Sequence, residues 1–284
     1  MIVLPAQVAT LIQENRSSRG VRTAPGAAPP LRRVVLRGLG FASFALITVT
    51  LGVVIVPLAR LAARLRGRPE QAVLRAQHAI HRGMRLWVRW MDRWDVVRVV
   101  TVKGVEALRG PVVVVANHPS LIDTPILLNL MPQADLVVNA AWGDNPVLRG
   151  CVAGAEYLRV EHGAVMVRHA IERLHAGRTL VVYPEGSRTP TEGLRPFERG
   201  AAQIALLAGC DIVPVVITVR PRTLMKGQAF TDVPATCPEW TVEVGQPIRP
   251  ADHLHAGESA SAAARRVTEV LQDYFEKRWD RGIC

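Results

Sequence analysis

Between Arg37 and Arg60 the chain carries no charged residue. The stretch Gly38 to Ala59 is 22 residues long, enough as a helix to cross roughly 30 Å of hydrocarbon. A secretory signal fits it poorly. The stretch starts late and is followed by arginines rather than by a small-residue cleavage site. A buried core helix of this length and uniformity would be unusual. The stretch therefore reads as a hydrophobic helical membrane anchor. Arg32, Arg33 and Arg37 precede it, and Arg60, Arg64, Arg66 and Arg68 follow it. Flanks this even give no orientation by the positive-inside rule. Gly52 and Pro57 are candidate helix breakers, so a single span and a helix that dips in and returns both stay open.

The net charge of +11 is unevenly placed. Residues 1–100 hold 16 arginines and no lysine against 4 acidic residues, while residues 101–284 hold 19 basic and 20 acidic residues. An arginine excess beside an apolar segment points to anionic lipid headgroups. No nucleic-acid-binding motif accompanies it, so nucleic acid is not expected as a partner. The segment from Glu70 to Trp94 places Val73, Leu74, Ile80, Met84, Trp87, Val88 and Met91 at largely helical spacing, with arginines between them. With Trp90 and Trp94, this basic amphipathic helix suits the headgroup layer. It suits the surface of a folded domain equally well. Residues 1–31 mix Ala, Pro, Gly, Ser and Arg and read as a flexible tail. The organisation expected is a tail over 1–31, an anchor over 32–94 (apolar helix 38–59, basic helix 70–94) and a catalytic domain over 95–284.

Past residue 98, apolar β-branched runs alternate with helical patterns. The runs Arg98–Val102, Val112–Ala116, Asp135–Asn139, Glu156–Val160, Thr179–Tyr183, Ile212–Val219 and Thr241–Val244 read as strands. Several are continuously apolar, as strands covered on both faces are. Thr124–Leu130, Ala164–His175, Glu198–Ala208 and Ser259–Arg278 read as helices. The alternation predicts an α/β domain, a layered mixed sheet flanked by helices. The four cysteines form no CxxC pair, and the eight histidines include no HExxH. Neither a metal site nor a bound cofactor is indicated.

Two segments leaving strands carry chemistry. His118 follows the run Val112–Ala116, and Asp123 comes five residues later. A histidine accepts a hydroxyl proton near neutral pH, and a carboxylate on its other nitrogen fixes the tautomer and stabilises the imidazolium. Pro119 suits a first helical position, which would turn the chain back toward the histidine. The spacing alone is weak. The rival reading has Asp123 capping a helix and His118 on the surface. After Thr179–Tyr183 comes Pro184-Glu185-Gly186-Ser187-Arg188-Thr189. Gly186 permits close backbone approach to a ligand, and Arg188 offers a fork of donors suited to phosphate. Ser187 and Thr189 add hydroxyls. Glu185 has two readings, a partner for a substrate hydroxyl or a simple loop ion pair with Arg188.

Together these segments resemble the glycerolipid acyltransferase family typified by bacterial lysophosphatidic acid acyltransferases. The family's Asn-His-x4-Asp matches Asn117 to Asp123, and its Pro-Glu-Gly-(Thr/Ser)-Arg matches Pro184 to Arg188. Its apolar run around a proline is similar to Ile212 to Ile217. A further pattern, Gly-x-x-Phe-(Ile/Val)-x-Arg, is only approached by Gly154-Ala155-Glu156-Tyr157-Leu158-Arg159, where the arginine comes one residue early. A shift of one residue in a strand sends the side chain to the other face, so Arg159 reaches the site only if a bulge restores it.

The resemblance implies that His118 is the catalytic base and that Asp123 supports it. It implies that Glu185, Gly186, Ser187 and Arg188, with Arg159, bind the acceptor. The donor would be acyl-CoA or acyl-ACP, the latter making acyl carrier protein a partner. The acceptor would be a lysophospholipid, foremost 1-acylglycerol-3-phosphate, and the product phosphatidic acid. Another lysolipid would be the alternative acceptor. The site would lie on the cytoplasmic side of the cytoplasmic membrane. A reading of another class, a non-catalytic protein binding anionic lipids, would leave His118 dispensable.

Overall fold

A computed structural model of the chain describes residues 31–255 and 257–279. The tail expected over 1–31 lies, Leu31 apart, outside those residues. The described residues begin with α1 (Leu31–Thr50), which passes through one π-helical turn (Leu51–Ile55) into α2 (Val56–Leu65), giving a continuous helix over 31–65. Then come α3 (Ala72–Arg93), β1 (Arg98–Lys103), β2 (Val112–Ala116), α4 (Asp123–Leu130) and β3 (Asp135–Val138). Two short helices, α5 (Ala140–Gly143) and α6 (Arg149–Gly154), lead to β4 (Leu158–Arg159) and α7 (Gly163–His175). The rest is β5 (Leu180–Val182), α8 (Gly200–Ala208), β6 (Asp211–Arg220), β7 (Glu239–Val244) and α9 (Ala260–Trp279). The α/β class expected from the alternation is the class observed. The helices α5 and α6 were not anticipated, being too short to show a helical period.

Among the described residues seven strands form one sheet in the order β1-β7-β6-β2-β5-β3-β4. Strands β6, β2, β5, β3 and β4 run parallel. Strand β7 runs antiparallel to β6 and parallel to β1, so the sheet is mixed. Successive side chains point to opposite faces, and the core divides accordingly. Val114, Ala116, Val213, Val215 and Ile217 join one apolar layer with Ile80, Met84 and Trp87 of α3 and Ile126 of α4. Val113, Val115, Ile212 and Val216 join the opposite layer with Leu174 of α7, Ile204 of α8 and Leu271 of α9. Helices thus cover both faces, which is why these strands read as unbroken apolar runs.

Helix α3 packs on the domain. Trp87 is fully buried, stacks edge-on with Phe44 and donates its indole N–H to Gly40 O at 3.1 Å. Only Trp94 of the three tryptophans in this segment is exposed, so the row of indoles at a headgroup layer is not what forms. The long N-terminal helix is seated along the same side. Gly40 meets α3, Gly52 lies against Gly150 of α6, and Arg60 donates to Gly154 O at 2.6 Å and pairs with Glu156 at 2.9 Å. Its outward face is apolar and exposed, with Leu39, Leu46, Val53, Leu58 and Leu65. Among the described residues this is the one helix long and apolar enough to cross a membrane.

Gly52 and Pro57 do not break the helix. Pro57 offers no N–H and crowds the preceding turn. The π turn, where Val56 N–H bonds to Leu51 O, widens the backbone just ahead of the ring. Gly52 serves as a contact instead. A Cβ there would lie 2.9 Å from both Cys151 N and Gly150 Cα, backbone atoms that cannot swing away. Gly52→Ala is expected to cost about 1–3 kcal/mol by overpacking. Gly150→Ala should do the same, its Cβ meeting Gly52 Cα at 2.8 Å. Gly38→Ala, within the same helix and with nothing within 4 Å, should instead raise the thermal midpoint slightly, by about 0.5–1 kcal/mol of helix propensity.

Candidate active site

The site follows from strand register. Val115 of β2 pairs with Val182 of the parallel β5. His118 and Glu185 each lie three residues beyond that pair, so they leave the sheet at the same height on neighbouring strands. Asn117 holds the end of β2 to β6. Its side chain donates to Ile217 O at 2.9 Å and accepts from Ile217 N at 2.7 Å, continuing the ladder where the backbone turns away. The asparagine before the histidine is thus a structural clamp.

His118 Nδ1–H donates to Asp123 Oδ2 at 2.9 Å. The Asp123 carboxylate is fully buried and takes three more donors: Ser120 N at 2.6 Å, Ser120 Oγ at 2.8 Å and Trp240 Nε1 at 3.0 Å. Unpaired, a buried carboxylate would be strongly disfavoured, so the surrounding donors fix its position. The turn differs from the one expected. Helix α4 starts at Asp123, four residues after Pro119, and the chain turns back through Ser120 rather than through a helical start. The capping alternative does not form, because the carboxylate faces Ser120 and His118. With Nδ1 so engaged, Nε2 is the imidazole's free acceptor. The ring stacks on Tyr183, centroids 4.3 Å apart, and Tyr183 Oη accepts from Thr124 Oγ1 at 3.0 Å. Burial first, and nearby Asp123 second, push the Tyr183 hydroxyl pKa upward, so it stays neutral.

The loop after β5 is sewn to this pair. Thr189 N donates to His118 O at 2.8 Å, and His118 N donates to Thr189 Oγ1 at 3.1 Å. Thr189 Oγ1 donates in turn to Glu185 Oε1, while Arg195 N donates to Glu185 Oε2 at 3.1 Å. Burial pushes the Glu185 carboxyl above its ordinary value, opposed by these hydrogen bonds and by His118. The ion pair between Glu185 and Arg188 is absent. Arg188 instead donates Nη1 to Leu224 O at 3.0 Å and Met225 O at 3.2 Å. Leu224 O also receives Leu121 N at 3.2 Å, so one carbonyl touches both candidate segments. Gly186 has φ of 65°, a left-handed conformation that favours glycine. Ser187 Oγ lies 2.8 Å from Arg195 Nη1 and 3.4 Å from Lys226 Nζ, so three cationic side chains border this loop.

Arg159 stands apart. It sits on edge strand β4, three strands from β2, about 14 Å at the usual spacing. It pairs with Asp144 at 2.9 Å and Glu161 at 3.6 Å. No bulge redirects it, and the structure does not bring it into contact with His118, Glu185 or Arg188. Sequence reasoning missed Tyr183, Trp240, Arg195 and Lys226. Only Tyr183 had a local signal, as the residue where β5 gives way to Pro184. Among the described residues no group of three or more His, Cys, Asp or Glu could hold a metal.

Residues 99–218, the span containing both candidate loops, match the family model described as Acyltransferase. The chain carries an acyltransferase-family domain. It is 34% identical over 152 residues to the lyso-ornithine lipid O-acyltransferase of Pseudomonas aeruginosa, covering 49% of this chain and 57% of that protein. It is 26% identical over 137 residues to the 1-acyl-sn-glycerol-3-phosphate acyltransferase of Cocos nucifera, covering 45% and 44%. The chain thus spans about half the length of the curated relatives it matches. The crystal structure of the 1-acyl-sn-glycerophosphate acyltransferase from Thermotoga maritima superposes with a TM-score of 0.62 at 22% identity, over 85% of this chain and 97% of that one. That likeness speaks for the fold. Within the acyltransferase domain, Asn117→Asp tests the clamp. It keeps an acceptor for Ile217 N but turns a carboxylate oxygen on Ile217 O, with an expected loss of about 2 kcal/mol or more. Chemical denaturation would measure it.

Proposed function

We propose that the protein is a membrane-anchored O-acyltransferase. It moves a fatty acyl group from an acyl thioester, acyl-CoA or acyl-ACP, to the free hydroxyl of 1-acylglycerol-3-phosphate. The observation that carries this reading is the pair His118–Asp123 at the carboxyl end of β2, with Nδ1 bonded and Nε2 left as acceptor. His118 Nε2 takes the hydroxyl proton as the acceptor oxygen attacks the thioester carbon. Asp123 stabilises the imidazolium. The C–S bond then breaks, and the imidazolium returns the proton to the thiolate. No side chain forms an acyl intermediate. Arg188, Arg195 and Lys226 supply positive charge beside the loop where an anionic headgroup would sit. The apolar outer face of the long N-terminal helix would lie in the lipid on the cytoplasmic side of the membrane. Its contacts with the domain from Gly40 to Arg60 favour a helix lying against the domain over a free-standing span.

A second acceptor class has its own support. The relative from Pseudomonas aeruginosa acts on a lyso-ornithine lipid by its name, and Arg159 is engaged by two carboxylates rather than left for a phosphate. Purified protein in detergent, given labelled acyl thioester and a panel of lysolipids, separates the readings. Acylation of 1-acylglycerol-3-phosphate is expected, and transfer to no lysolipid would refute both. His118→Ala should lower turnover at least ~100-fold and, by removing one donor from the buried Asp123 carboxylate, lower stability by about 1–3 kcal/mol. Arg188→Gln should raise KM for a phosphate-bearing acceptor more than it lowers kcat. An equal fall in turnover for lyso-ornithine lipid would show that Arg188 does not read the phosphate.

A further inference from the structure

A groove of about 1130 Å³ runs between the long N-terminal helix and α3. It is separate from the site at His118. Its nearest approach in sequence, Gln133, lies beyond the far end of α4, and α4 alone is about 12 Å long. One end, between Leu46 and Leu86, is apolar, with Leu51, Ile55 and Ala79 continuing the wall. The other end, at the turn joining α2 to α3, holds Arg66 and Arg75, with Arg82 two turns further along. Arg75, Ala79, Arg82 and Leu86 follow one another at helical spacing on the same face of α3. From Arg75 to Leu86 the helix rises about 17 Å.

The polarity of this groove is that of an amphiphile. None of its lining residues is acidic. Among the described residues, Arg66, Arg75 and Arg82 enter no ion pair, although ion pairs hold many of the domain's other arginines. Arg75 Nε is buried without a hydrogen-bond partner, and the same side chain reaches Gln71 Oε1 at 3.3 Å. A buried guanidinium nitrogen with no acceptor is a donor awaiting one. The groove opens on the side where Leu46, Ile55 and Leu86 are exposed, the same apolar surface that would face lipid. Its size lies just above the range of about 300–1,000 Å³ usual for small-molecule sites, as a two-chain lipid needs.

We infer that the groove holds one anionic phospholipid, its acyl chains along Leu46, Leu51 and Leu86 and its phosphate at Arg66, Arg75 and Arg82. The bound lipid fills the seam between the long helix and α3 and does not take part in the reaction at His118. The inference does not depend on that reaction.

The full chain, purified in zwitterionic detergent, is offered phosphatidylglycerol and phosphatidylcholine of equal acyl composition. Lipid retained is then counted by native mass spectrometry. The expected result is one phosphatidylglycerol per chain, preferred at least about tenfold over phosphatidylcholine. The double variant R75Q/R82Q should lose that preference, and Ala79→Trp, which fills the groove, should lose both lipids. A photoreactive phosphatidylglycerol should crosslink to peptides within residues 71–86. Equal retention of the two lipids by the wild type overturns the inference. So does crosslinking confined to other segments, or a dimer mass that Ala79→Trp abolishes, which would make a second copy of the chain the occupant. If Ala79→Trp fails to fold, the R75Q/R82Q comparison and the crosslink still decide.

Discussion

A fully buried carboxylate dictates the geometry of this site. Asp123 is removed from water and must be surrounded by donors, and its four donors come from three pieces of the fold. Ser120 supplies two from the turn just before it, Trp240 one from β7 and His118 one from the end of β2. Satisfying the acid therefore aims the imidazole. The imidazole is held by a group that the core itself requires to be held, which is a firmer constraint than surface side chains provide.

The second constraint is the close approach of backbones at Gly52 and Gly150, which lets the long N-terminal helix lie down on the domain. Together with the indole bond from Trp87 to Gly40, it makes that helix a layer of the fold. An apolar stretch of this composition reads from sequence as a membrane anchor, because hydropathy reports what a helix avoids and not what it leans on. The contacts that seat it on the domain come from residues about 50 to 100 positions away.

Much of the fold was legible because both faces of the sheet are covered. Burial on two sides writes continuous valine and isoleucine runs, and Val112–Ala116 and Ile212–Val219 could be located from those alone. Strand order was not legible. The last strand, β7, inserts between β1 and β6, and nothing local in Glu239–Val244 announces its neighbours. The candidate site shows the same division. His118 and Asp123 were visible as a spacing, and the loop from Pro184 to Arg188 as turn chemistry. Trp240, 117 residues from the carboxylate it serves, was invisible because its role exists only after folding. Arg159 shows the converse. Its proximity in sequence to a familiar pattern suggested a place at the site, but edge strand β4 and the carboxylates of Asp144 and Glu161 hold it elsewhere.

The segment following β6 binds more of the molecule together than its irregular backbone suggests. Arg37, buried on the N-terminal helix, donates to Thr223 Oγ1, to Phe230 O at 3.1 Å and to Asp232 O at 2.8 Å. The next two residues, Leu224 and Met225, offer the carbonyls that hold Arg188, and Leu224 also holds Leu121 between the histidine and the aspartate. One short stretch is thus shared property of the helix that faces outward and the loops that face the chemistry. The outward helix is consequently fastened, through Arg37 and Thr223, to the residues directly before the Leu224 and Met225 carbonyls that set where the Arg188 fork points.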